Sequence, residues 1–68
     1  MNTDIIASPL KRCRIAAGLT QKQLADAIGV PQQHISRWET GERTPTAETL
    51  LKISKVLKCT MEELIELP

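Results

Sequence analysis

Thr20-Gln21-Lys22-Gln23-Leu24-Ala25-Asp26-Ala27-Ile28-Gly29-Val30-Pro31-Gln32-Gln33-His34-Ile35-Ser36-Arg37-Trp38-Glu39-Thr40-Gly41 is the stretch whose reading decides the fold of this chain. Thr20 offers a hydroxyl to the unpaired N–H groups that open a helix, and Gln23, three residues on, completes a reciprocal capping pair. Leu24, Ala25 and Ile28 then recur at helical spacing and make one apolar face. Gly29 ends that helix, because glycine enters positive φ at the least steric cost. Pro31 is acceptable as the first residue of a second helix, where its missing N–H has no partner to lose. Gly41 closes this second helix. Ala25 is small where the two helices cross, and Ile35 holds the second against the first.

The punctuation continues outward. Ser8 before Pro9, Thr46 after Pro45, and Thr60 with Glu63 three residues later read as helix starts, and Gly18 as a helix end. Helices are predicted over 9–17, 21–28, 31–40, 47–57 and 61–66, with no alternating strand pattern among them. Leu10 and Cys13 share a face of the first; Leu50, Ile53 and Leu57 share one of the fourth. The expected organisation is a short N-terminal extension, 1–8, followed by one all-α domain, 9–67. At 68 residues the chain has room for a single small core. A core of that size favours association with a partner.

Composition narrows the function. Nine Lys and Arg face eight Asp and Glu, for a formal charge of +1, so any polyanion must be met by a local patch rather than by the overall field. The cations Lys11, Arg12, Arg14, Lys22, Arg37 and Arg43 lie in the first two thirds; Glu62, Glu63 and Glu66 crowd the end. There is one Trp and no Phe or Tyr, which argues against readers of single strands that stack bases on several rings. Cys13, Cys59 and the single His34 do not have the spacing of a zinc site, and the cysteines read as small, reduced core residues of a cytoplasmic protein. No cofactor or metal is expected. No segment has the length of a membrane span, and Met1 to Ser8 lacks the pattern of a signal peptide.

Turning by about 100° per residue places Gln32, Gln33, Ser36, Arg37 and Thr40 within an arc of about 140° on the helix over 31–40. Pro31, Ile35 and Trp38 fall on the other side, and His34 at the edge of the arc. A merely solvated face normally carries Lys and Glu. Here it carries two amides, a hydroxyl and a guanidinium, which are the groups that pair bidentately with adenine and guanine edges in the major groove.

Gly18-Leu19-Thr20-Gln21, Gln23-Leu24-Ala25, Ile28-Gly29-Val30 and Ile35-Ser36-Arg37-Trp38-Glu39-Thr40-Gly41, flanked by Leu10, Arg14, Pro45, Leu50 to Leu57 and Leu64, together resemble the Cro and phage-repressor helix-turn-helix family. The resemblance implies a compact five-helix, lambda-repressor-like DNA-binding domain in a bacterial or phage regulator of transcription, with its second and third helices forming the motif. It implies that Gln32, Gln33, Ser36 and Arg37 face the groove, that Gln21 holds a phosphate at a helix start, and that Thr40, Arg43 and Lys22 approach the backbone. It also implies that Arg14 pairs with Glu39 to tie the first helix to the third. One departure is Val30-Pro31, which stands where the family commonly places a Ser or Thr cap.

The expected partner is a near-palindromic double-stranded operator bound by a homodimer, with no membrane and no small-molecule substrate. Leu51, Val56, Ile65 and Leu67 have no obvious intramolecular partner in the sequence and are expected at the dimer surface, with Ile5 and Ile6 near them. An enzyme lacks parts: Cys13 with His34 is the one pair that resembles a nucleophile and base, and the two belong to different faces. The rival reading is an antitoxin or other protein-interaction module whose C-terminal helix grips a partner; little chain follows that helix to do so.

Overall fold

The computed structural model describes residues 8–65; the expectations for Ile5, Ile6, Glu66 and Leu67 lie outside them. Five helices follow one another, α1 Pro9–Ala16, α2 Gln21–Ile28, α3 Gln32–Thr40, α4 Ala47–Leu57 and α5 Met61–Leu64, with no strand among the described residues.

Local chemistry explains most boundaries. The Ser8 hydroxyl accepts from the Lys11 N–H at 3.2 Å. Thr20 and Gln23 bond reciprocally, at 3.0 Å from the Gln23 N–H to Thr20 Oγ1 and 2.8 Å from the Thr20 N–H to Gln23 Oε1. Thr60 and Glu63 repeat that arrangement at the start of α5, and the Thr46 hydroxyl accepts from the Thr49 N–H. Gly29, at φ +76°, ends α2; a Cβ there would meet nothing within 4 Å, so glycine is required by the backbone angle alone.

Three boundaries differ from the sequence reading. Pro31 is not the first residue of α3 but its cap, in extended geometry at φ −63°, ψ 146° and with no side-chain cap bond; its carbonyl accepts from the His34 N–H at 3.0 Å. The fifth helix stops at Leu64, because Ile65 turns extended at φ −110°, ψ 125°. The first helix stops at Ala16, one residue short of its predicted end; α4 keeps its predicted bounds and ends without a glycine, on Lys58 at φ +56°.

The core is made by Leu10, Leu24, Ala25, Ile28, Ile35, Ile53, Leu57 and Leu64, with Leu24, Ile35 and Ile53 wholly enclosed. Burying each large aliphatic contributes about 1.5–3 kcal/mol. Helix α2 packs on α3 and α4, while α1 packs on α3 and on α5, so the two ends of the described chain meet. Cys13, Cys59 and Val56 are half-buried at the edge of this cluster. Val56 therefore has the intramolecular partner that the sequence reading denied it, and the cysteines are not enclosed core residues.

Candidate nucleic-acid interface

Ile35, completely enclosed, and Trp38, half-buried, fasten one side of α3 to the core. The opposite side presents Gln32, Gln33, Arg37 and Thr40 to solvent, with Ser36 half-buried between them. Pro31, assigned to the packing side in the sequence reading, is exposed, because as a cap it precedes the helical register. Gln21, Pro31, Gln32, Gln33 and Ser36 line a shallow concavity of about 500 Å³ between the starts of α2 and α3.

What holds α3 at its angle is a polar chain that runs from α1 through α3 to α2. Arg14 donates through Nε to Glu39 Oε2 at 2.6 Å, through Nη2 to Oε1 at 3.2 Å, and through Nη1 to the Leu19 carbonyl at 2.8 Å. The side chains are only 11% and 4% exposed. Taking two charges out of water costs several kcal/mol per ion, and a forked pair with its remaining hydrogen bonds satisfied is the geometry that offsets it. Gln21 donates its amide N–H to Glu39 Oε1 at 3.0 Å and accepts from the Gln32 amide at 3.4 Å. Gln21, expected at a phosphate, is thus also committed inside the protein and links the buried pair to the first residue of α3. No buried side-chain nitrogen or oxygen among the described residues is left unpaired.

The remaining expected residues sit at the margins of this face. Arg37 Nε meets Glu42 at 3.2 Å, a contact across the helix end that the sequence reading did not foresee. The Arg37 carbonyl accepts from the Thr40 hydroxyl and the Arg43 N–H, which shapes the turn after α3. Lys22 pairs with Asp26 one turn along α2, fully at the surface. His34 is exposed and its ring stands 5.9 Å from that of Trp38 at 53°. Cys13 lies near Cys59 and the Glu63 carbonyl instead, so Cys13 and His34 do not share a site. No group of three or more His, Cys, Asp or Glu among the described residues is arranged to hold a metal ion, and no helix among them is long and apolar enough to cross a membrane.

A helix-turn-helix family model matches residues 10–64. The chain is 33% identical over 66 residues to repressor protein C2 of Salmonella phage P22, which covers 97% of this chain and 31% of that protein. It is 41% identical over 56 residues to the HTH-type transcriptional activator BcrR of Enterococcus faecalis, covering 82% of this chain and 28% of that one. The chain thus spans about a third or less of the length of these two curated relatives. Its fold is similar to the crystal structure of the restriction-modification controller protein C.AhdI from Aeromonas hydrophila, with a TM-score of 0.77, 30% identity, and coverage of 84% of this chain and 86% of that chain.

Proposed function

Because the chain belongs to the helix-turn-helix family of the Cro and phage-repressor type, we propose that it regulates transcription by binding double-stranded DNA, with α3 in the major groove and α2 across the backbone. The observation that carries this reading is the face of α3. Gln32, Gln33, Ser36 and Arg37 project from a helix whose other side is fixed by Ile35 and by the Arg14–Glu39 pair. Such groups on a rigid element match base-edge patterns without chemistry being done on the DNA. Gln21, Lys22, Thr40 and Arg43 flank this face and serve as phosphate contacts, which position the helix. The chain acts as a homodimer on a near-palindromic operator in the bacterial cytoplasm. Leu51 and Ile65, 45% and 42% exposed, contribute to the dimer surface with part of Val56. Repression by occupying a promoter follows most directly, since it requires nothing beyond bound protein.

Gln33 gives the cleanest test, because Gln32 is tied to Gln21 and its loss would disturb both. With a site selected from random DNA, Gln33→Ala is expected to weaken specific binding by about 1–3 kcal/mol and to leave non-specific binding nearly intact. An equal loss on random DNA, measured by anisotropy titration at fixed salt, would contradict groove readout by this face.

A further inference from the structure

Cys13 lies on α1 and Cys59 in the junction between α4 and α5, and the fold brings them to one small surface cavity of about 180 Å³. Ala16, Ala17, Leu57, Lys58 and Glu63 complete its lining. Both are free thiols and both are half-buried, hence reachable from solvent. Cys13 Sγ stands 4.0 Å from the Glu63 carbonyl. We propose that Cys13 and Cys59 form a reversible dithiol that closes to an intramolecular disulfide under peroxide, stapling α1 to the α4–α5 junction.

The two side chains line the same cavity, and burial together with the adjacent Cys13 sulfur pushes the Cys59 thiol up to about 11. Burial disfavours the Cys59 thiolate, which leaves the first attack to Cys13. Cys13 displaces hydroxide from the peroxide: the S–O bond forms, the O–O bond breaks, and the hydroxide takes up a proton to become water. Cys59 then attacks the resulting sulfenic sulfur. The S–S bond forms, the S–O bond breaks, and the second hydroxide leaves as water with the Cys59 proton. Two thiols and one peroxide give one disulfide and two waters. Closing the bridge brings the two sulfurs to bond length, about 2.0 Å. Cys59 lies outside the helices, in the junction where its N–H caps α4 by donating to the Ser54 carbonyl at 3.0 Å.

The cavity includes none of the exposed α3 residues, so this inference stands apart from the DNA-binding reading and fails separately from it. The test uses the whole chain, reduced and then treated with hydrogen peroxide. Expected are the loss of both titratable thiols, a mass lower by two hydrogens with the protein still a single chain under denaturing conditions, and reversal by dithiothreitol. The melting temperature of the oxidised form is expected to rise by roughly 10 °C, because a bridge closing so long a stretch of chain restricts the unfolded state strongly. DNA affinity is expected within about twofold of the reduced form, a bound set by the separation of the cavity from α3. Cys13→Ser and Cys59→Ser should each abolish the mass change and the thermal shift. Both thiols surviving peroxide, crosslinks only between chains, oxygen added at one sulfur without a disulfide, or a lowered melting temperature in the oxidised form would each overturn the proposal. The wild-type mass and thiol counts decide the matter even if a serine variant folds poorly.

Discussion

At the scale of single residues, Arg14 and Glu39 carry the largest consequence. Glu39 is almost entirely withdrawn from water and accepts from both Arg14 and Gln21. Removing it leaves a buried guanidinium with only the Leu19 carbonyl as a partner. Glu39→Ala is accordingly expected to cost about 3–5 kcal/mol, comparable to the whole stability of a small domain. The double variant Arg14→Met, Glu39→Leu is expected to recover much of that loss, because it leaves no charge unpaired. Urea unfolding of the single and double variants measures both; a single-variant loss under about 1 kcal/mol would mean that the pair is dispensable. The shared polar arc of α3 was legible from spacing alone, since Gln32, Gln33, Ser36, Arg37 and Thr40 share a face of any regular helix. The bonds of Gln21 to Glu39 and Gln32 were not, because they join residues of different helices whose relative placement is set by packing. Arg37–Glu42 escaped for a related reason: the contact depends on how the chain turns at Gly41.

At the scale of elements, the sequence was most readable where a boundary is a local chemical event. Both capping pairs, at Thr20 and Thr60, and the positive-φ glycines are such events. The end of α5 is a different kind of boundary. Leu64 is buried against the core and Ile65 departs extended, so tertiary packing cuts short a pattern that by itself runs on. Lys58 is the third kind, a position where the backbone needs a left-handed residue and the sequence supplies one with a Cβ. That conformation costs a non-glycine residue roughly 1–2 kcal/mol, of which glycine's greater freedom in the unfolded state returns part. Lys58→Gly is therefore expected to stabilise the domain by about 0.5–1 kcal/mol, a rise in melting temperature of roughly 2–8 °C for a domain of this size. A calorimetric melt showing no change or a decrease would place a stabilising contact of the Lys58 side chain above the backbone cost.

At the scale of the molecule, a formal charge of +1 makes affinity for DNA a matter of few, well-placed cations. Lys22 and Arg37 are each paired with a carboxylate in the free chain. Such exposed pairs are weak, so they offer little resistance to the phosphate and base contacts proposed for Lys22 and Arg37. Ile15, Leu51 and Ile65 are the large aliphatics exposed among the described residues, at 57%, 45% and 42%; Ile15 was not anticipated, as it falls on the outer side of α1.

If two protomers bind together, each neutralising phosphates through Lys22 and Arg43, the logarithm of affinity should fall with that of salt at a slope of about −4, against about −2 for one protomer. Half-sites about 10–10.5 base pairs apart place both copies of α3 on one side of the duplex. Inserting about half a turn between them should therefore remove the cooperative gain while leaving each half-site occupied singly. Leu51→Asp should reproduce that loss without altering the DNA, because a charge at an apolar contact between copies is costly to bury. A slope near −2 at one protomer per duplex, insensitive both to spacing and to Leu51→Asp, would establish a monomeric reader and remove the two-fold operator with it.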